Sequence, residues 1–271
     1  MIERYKWTAA SRSRLNILAQ FEPIQMDVFF SYLDAIRAEV FLDVGANIAA
    51  YSVCASGLEH FREGFLFEPS PEAFRICKQN VALNGLDGKL HCFNYAVSDR
   101  SGTNDFAIAG PLSGINAISD TSIHGQNKYL EHIEVETRTL DELLKFEGER
   151  IGIKIDVEGH ERNVIKGAQR LLTSNIAVIQ AELGYRQSLP VVELLQEFGY
   201  HKIIAIGPDF YFSNEPGMRN PSEFLPIIET QLARLIALDL ERQKKSRQAL
   251  DAARETIREL REKLQAQLPD S

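Results

Sequence analysis

Val40-Phe41-Leu42-Asp43-Val44-Gly45-Ala46-Asn47 is a short apolar burst that runs into an acid and a glycine. A run this short, closed by a turn signal, has the texture of a parallel strand buried on both faces. The pattern repeats downstream. Phe65-Leu66-Phe67 ends in Glu68, the run Ile151, Ile153, Ile155 ends in Asp156, and the stretch from Ala177 to Ala181 ends in Glu182. Helical segments separate these runs. Ser70-Pro71-Glu72 is a helix start with Ser at the N-cap, Pro at the first helical position and an acid in the first turn. That helix passes through Phe74, Cys77, Val81 and Leu83 and stops at Asn84-Gly85. A third strand is predicted from Leu90 to Val97, an edge strand over Ile133–Thr137, and one helical face from Val164, Ile165, Ala168, Leu171 and Leu172. His201–Ile206 and Phe210–Ser213 read as a terminal hairpin. Strands alternating with helices predict an α/β fold, a mostly parallel sheet with helices on both faces. In such sheets the ligand lies beyond the carboxyl ends of the strands, where strand order reverses. Asp43, Glu68, Asp156 and Glu182 therefore place a site on that rim.

Composition narrows the class. The chain has 271 residues, 44% of them hydrophobic and 25% charged, enough for one sizeable core without disulfides or metals. A formal net charge of −8 argues against a nucleic-acid partner, because such binding draws on Lys and Arg against phosphates. Cys54, Cys77 and Cys92 form no CxxC and read as small buried hydrophobes in a reducing compartment. No run approaches transmembrane length and no signal peptide is legible, so a cytoplasmic location is expected. The stretch from Ser98 to about Ile133 is rich in Gly, Ser, Asn and Asp and lacks a clear period. A loop of that length is expected to be a functional lid or to hold short elements.

The turn after the first strand chooses between two cofactors. A dinucleotide needs GxGxxG, so that backbone amides close on a pyrophosphate at a helix N-terminus. Here Gly45 stands alone, with Asn47 and Ala49 where further small residues would help. S-adenosylmethionine (SAM) carries no phosphate but has an ammonium, a sulfonium, a carboxylate and a ribose diol. An acid on the turn, one close-approach glycine and a second acid for the diol suit it, and Glu68 is placed for the diol.

Four blocks carry a family resemblance: Phe41-Leu42-Asp43-Val44-Gly45-Ala46-Asn47-Ile48, Phe67-Glu68-Pro69-Ser70-Pro71, Tyr95-Ala96-Val97-Ser98-Asp99, and above all Ile153-Lys154-Ile155-Asp156-Val157-Glu158-Gly159-His160-Glu161. Together they make the chain resemble the FkbM family of methyltransferases across residues 40–210. The resemblance implies a class I methyltransferase fold, Rossmann-like, with a seven-stranded mostly parallel sheet and an antiparallel last strand. It implies O-methylation of a hydroxyl, on a sugar, surface glycan or other metabolite, with SAM as donor. It assigns Asp43, Gly45 and Asn47 to the methionine part, Glu68 to the ribose, Ala96 to the adenine and Asp156 to the rim beside the methyl. The family usually has Gly where Ala49 stands, and a methyl there is expected to fit while narrowing the methionine end.

A sugar hydroxyl is too weak an acid to ionise unaided at neutral pH, so a base is needed. His160 is a candidate because imidazole titrates near the working pH; Glu158, Glu182 and a metal-bound hydroxyl are the alternatives. The histidines show no metal-ligand spacing, so no metal is assigned. Lys154, inside a buried strand, needs a carboxylate partner, Asp156 or Glu182.

The expected organisation is a helical lead-in over 1–38, a SAM-dependent methyltransferase domain over 39–220, and a helical, coiled-coil region over 224–268. Leu250, Ala253, Ile257, Leu260 and Leu264 follow 3-4-3-4 spacing, a narrow seam suited to a homo-oligomer or another partner. Two further readings remain at this stage, an NAD-linked oxidoreductase and a coiled-coil scaffold with a vestigial SAM-binding domain. The first is disfavoured by the missing glycines, the second by the intact acids.

Overall fold

The computed structural model describes residues 4–11, 25–184 and 188–219. The chain separates into two compact units, Met1–Phe224 and Leu225–Ser271, and the described residues all belong to the first. The coiled-coil seam lies outside them, as do residues 1–3 and 12–24 of the expected lead-in.

Helix α1 (Gln25–Ile36) carries apolar side chains at helical spacing and buries Phe29, Phe30, Tyr32, Leu33 and Ile36. Strand β1 (Val40–Val44) is buried along its whole length. It is followed by α2 (Ala50–Ala55), β2 (Glu63–Phe67), α3 (Pro71–Leu83) and β3 (Leu90–Phe93). The chain then leaves the sheet for β4 (Ala96–Val97), β5 (Gly102–Ile108), β6 (Ala117–Ile118) and β7 (Glu131–Arg138). After the single turn α4 (Leu140–Leu143) it returns through β8 (Arg150–Ile155), α5 (Glu161–Lys166), α6 (Gln169–Ser174), β9 (Ile176–Glu182), α7 (Ser188–Glu197), β10 (His201–Ile206) and β11 (Asp209–Ser213).

Seven strands form the main sheet in the order β10-β11-β9-β8-β1-β2-β3. All neighbours are parallel except β11, which runs antiparallel to both β9 and β10. The antiparallel last strand is thus present, and the predicted hairpin provides it. Successive side chains of β1 point to opposite faces. Val40, Leu42 and Val44 pack with Val164, Leu171 and Val191 from α5, α6 and α7. On the other face the Phe41 ring lies 6.0 Å from that of Phe29 in α1, and Asp43 meets Ser52 of α2. The chain builds outward from β1 to β3 and then crosses back to β8 on the other side of β1. Strand order therefore reverses between β1 and β8, which sets the crevice at their carboxyl ends.

Three expectations are corrected here. The third strand does not run from Leu90 to Val97. Pairing with β2 ends at Phe93, Asn94 Nδ2 donates to the carbonyls of Glu68 and Pro69 (2.8 and 3.0 Å), and Ala96-Val97 pairs with β7 instead. The segment without period holds a second, four-stranded sheet, β4-β7-β5-β6, in which β7 is interior rather than an edge. Its small core is Ala96, Phe106, Ile118 and Val135. The helical face from Val164 to Leu172 belongs to two helices that break at Gly167. A Cβ on Gly167 would lie 2.0 Å from the Ser98 carbonyl oxygen, so the break lets that backbone pass. Among the described residues no helix is long and apolar enough to cross a membrane.

Candidate active site

The turn after β1 is bolted to the end of β2 through its own amides. Gly45 and Ala46 donate their N–H groups to the Phe67 carbonyl at 2.9 and 3.0 Å, and Asn47 donates to Glu68 Oε2 at 2.7 Å. Glu68 Oε1 accepts from the Ser70 N–H at 2.8 Å. Gly45 (φ +86°) sits where a side chain is excluded: a Cβ would lie 1.9 Å from the Asp156 carbonyl oxygen. The glycine thus permits close approach of β8's end, in addition to anything it allows a ligand. Ala49 adopts φ +64° and is wholly buried, its methyl packed with Ala46, Val53, Leu66 and Cys77. That methyl faces the core and does not narrow the cleft.

A cleft opens at this turn, at the reversal of strand order. From the main sheet it is lined by Gly45, Asn47, Glu68 and Asp156, and from the second sheet by Ala96, Phe106 and Ile118. Ser113 and Asn116, between β5 and β6, and His160, at the start of α5, complete it. Of the expected site residues, Gly45, Asn47, Glu68, Ala96, Asp156 and His160 meet here. Asp43 and Glu158 do not. Asp43 is enclosed beneath α2, where Ser52 Oγ donates to its Oδ2 at 2.5 Å. Glu158, in the left-handed region at φ +52°, lines a neighbouring recess and is 2.9 Å from His124 Nε2. Asn47 lines the cleft, and its Oδ1 is a buried acceptor with no hydrogen-bond partner among the described residues. It fits a ligand that brings a donor, such as an ammonium.

His160 is buried, with Nε2 2.9 Å from Ser98 Oγ and Nδ1 2.9 Å from Thr121 Oγ1. Burial lowers its pKa to about 4, against the pull of Asp99 and Asp120. A neutral ring with both nitrogens engaged ties α5 to Ser98 and to the loop after β6. Thr121 is marked by no pattern in the sequence, and Ser98 only by its place in the block Tyr95-Ala96-Val97-Ser98-Asp99.

Lys154 lies in a polar row that crosses the sheet, Asp43 beside Lys154 beside Gln180, under α2. Its Nζ is 3.7 Å from Asp156 Oδ2 and 3.5 Å from Asp209 Oδ1. Gln180 Nε2 donates to the same Asp209 oxygen at 2.6 Å and to Tyr51 OH at 3.2 Å. No sequence pattern marks Asp209, which opens β11. Lys154→Met, which keeps volume but strands the buried Asp209, is expected to cost about 3 kcal/mol in urea unfolding. An unchanged midpoint would remove the pair from the stability account.

Four carboxyls on this side are pushed up, Glu161 among them through burial. Burial raises Asp43 to about 6 and Glu68 to about 7, overriding the hydrogen bonds that favour their charged forms. Glu182 rises to about 8, first through the charge of Asp156 and then through burial. Groups whose folded pKa is raised hold extra protons in the folded state, so the stability they contribute is lost as pH rises through those values. His160 acts oppositely, but only below about 6.5, its ordinary pKa. Raising pH from about 6.5 to about 8.5 should therefore cost the ligand-free protein on the order of 2 kcal/mol. A falling melting temperature over that range is the expected result; a flat or rising one contradicts it.

Among the described residues no group of three or more His, Cys, Asp or Glu is disposed to hold a metal ion. Residues 43–202 match the family model described as the methyltransferase FkbM domain. The chain is 33% identical over 149 residues to the 2-O-methyltransferase NoeI of Sinorhizobium fredii, covering 49% of this chain and 59% of that protein. It is 29% identical over 168 residues to the hexuronic acid methyltransferase AglP of Haloferax volcanii, covering 60% and 64%. The chain thus spans under two thirds of the length of either relative. The crystal structure of methyltransferase FkbM from Methylobacillus flagellatus KT superposes with a TM-score of 0.43 at 13% identity, covering 65% of this chain and 44% of that one. The match to the family model takes in β1 through the start of β10, the span that builds the cleft, and on it the chain belongs to the FkbM methyltransferase family.

Proposed function

We propose that the chain is a SAM-dependent O-methyltransferase acting on a hydroxyl of a saccharide. The observation that carries the cofactor is the bookkeeping of amides at the turn. Gly45, Ala46 and Asn47 direct all three N–H groups into the protein, to Phe67 and Glu68, leaving none to close on a pyrophosphate. What the turn offers the cleft is acceptors: Asn47 Oδ1 and the remaining lone pairs of Glu68. That is the complement of an ammonium and a ribose diol and a poor match for a dinucleotide. The saccharide rests on the relatives, one named for 2-O-methylation and one for hexuronic acid.

When bound, SAM supplies an electrophilic methyl on a cationic sulfur. Glu68 would hold the ribose, Asn47 the methionine ammonium, and Ala96 would lie against the adenine. Asp156 would stand at the rim where the acceptor hydroxyl loses its proton, with His160 as a positioning residue. Asp43 would act at one remove by fixing α2 through Ser52. Glu68→Ala should weaken SAM binding by roughly 1.5–3 kcal/mol, the range for hydrogen bonds to a charged group. Because Glu68 also holds the amides of Asn47 and Ser70, a thermal melt of the variant accompanies the titration. Calorimetry with SAM and with NAD⁺ tests the reading: SAM binding alone is expected. Tight NAD⁺ binding, or unchanged SAM affinity in folded Glu68→Ala, overturns it.

A further inference from the structure

Behind the cleft lies a recess whose lining includes Asp156, Glu158, Glu161 and Glu182, with Ile123 and Pro208 beside them. Asp156 lines both cavities and forms the seam between them. Four carboxylates share this small space. His124 stands against Glu158 at 2.9 Å, and Lys154 divides itself between Asp156 and the buried Asp209. Asp156 also repels Asp43 and Glu68 beyond the recess, and the buried His160 is neutral. Glu161 is 1% exposed; its Oε1 accepts from the Gly159 N–H at 3.0 Å, while its Oε2 has no hydrogen-bond partner among the described residues.

Carboxylates this crowded cannot all ionise at neutral pH, and the deficit is met by protons. We propose that Glu182, which lines the recess together with Asp156, holds one proton in the empty enzyme and releases it when the sulfonium cofactor enters the cleft, so that loading readies the carboxylates that take the acceptor's proton. The inference rests on the SAM reading above. A positive charge arriving beside Asp156 offsets the repulsion it exerts on Glu182 and favours ionised Glu182, in line with the elevated pKa of Glu182, whose first cause is that same neighbour. The cycle balances. Loading sends one proton to solvent. In transfer a carbon–oxygen bond forms, the carbon–sulfur bond breaks, and the hydroxyl proton passes by way of Asp156 to Glu182. The product cofactor is a neutral thioether, so Glu182 keeps that proton and the empty state is restored. The one proton that methylation of an alcohol must release leaves at binding, not at chemistry.

The test is calorimetry on the full chain near pH 7, in two buffers of unequal ionisation enthalpy, with SAM and with S-adenosylhomocysteine. Roughly half a proton or more should be released per SAM bound, and distinctly less with the uncharged product. Glu182→Gln should abolish the release while SAM still binds, and Glu182→Asp should retain it. If the Gln variant fails to fold, the contrast between SAM and product in the unaltered chain decides. SAM binding with no buffer dependence, or equal release with both ligands, overturns the proposal and leaves the cofactor reading standing. No SAM binding at all overturns the cofactor reading, and this one with it.

Discussion

Asp156→Asn is expected to lower turnover on a sugar acceptor by about 10²–10⁴-fold, the range for a lost general base, with SAM affinity changed far less. Three observations support so large an effect. Asp156 follows β8 at the reversal of strand order, it is the residue common to the cleft and the recess, and it is the first cause of the shift on Glu182. Asn keeps the shape and the backbone N–H that Val44 accepts at 2.9 Å, so the local fold should survive. The contrasting possibility is that Asp156 only neutralises Lys154. Its loss would then lower the melting temperature and leave turnover nearly intact. Initial rates and thermal melts of the one variant separate the two, because the catalytic role moves kcat while the ion pair moves stability.

Gly45→Ala should be the most damaging single methyl in the described chain, costing more than about 5 kcal/mol, beyond the usual range for point changes. Two costs coincide there. At φ +86° an L side chain is strained, and the new Cβ would sit 1.9 Å from a backbone oxygen that cannot swing away. Asp156, which owns that oxygen, is fixed by the sheet: β8 pairs with β1 and β9 on either side. Relief would require separating β1 from β8 at the crevice. The variant is expected to be insoluble, or to melt more than about 10 °C below the parent. A soluble variant with parental melting temperature and SAM affinity would show that the turn is looser than described.

Ala49 offers the opposite lesson. It too has positive φ, but its methyl has room in the core, so the departure from the family's usual glycine is tolerated at that position. The resemblance alone pointed to a narrower cleft; only the direction of the Cα–Cβ bond settles where the methyl goes.

What was legible in the sequence follows from how local its causes are. β1, β2, β8 and β9 are short apolar runs because strands buried on both faces need no alternation; the acids read from β2, β8 and β9 line the cleft or the recess, whereas Asp43 of β1 is enclosed beneath α2. The start and stop of α3 are local signals, Ser70-Pro71 and Gly85, and they fall where read. The second sheet was illegible because β5, Gly-Thr-Asn-Asp-Phe-Ala-Ile, is polar over its first half and is ordered by pairing with β7, some thirty residues away. The same separation hid Cys77 and Cys92, fifteen apart in sequence, whose free thiols meet with Sγ atoms 3.8 Å apart. His160 shows the limit at the site. Residue type alone made it a candidate base, whereas its partners Ser98 and Thr121 and its burial are products of tertiary packing. Glu158, an alternative base in the sequence, stands two residues from Asp156, but the left-handed turn at Glu158-Gly159 carries it into the recess.

The most direct measurement is mass spectrometry of a panel of neutral, amino and uronic saccharides incubated with the full chain and SAM carrying a deuterated methyl. The account predicts a trideuteromethyl group on a hydroxyl of at least one saccharide, lost with Asp156→Asn and sharply reduced with Glu68→Ala. Labelled methyl found on nitrogen or carbon, or transfer that survives Asp156→Asn at the parental rate, would contradict it.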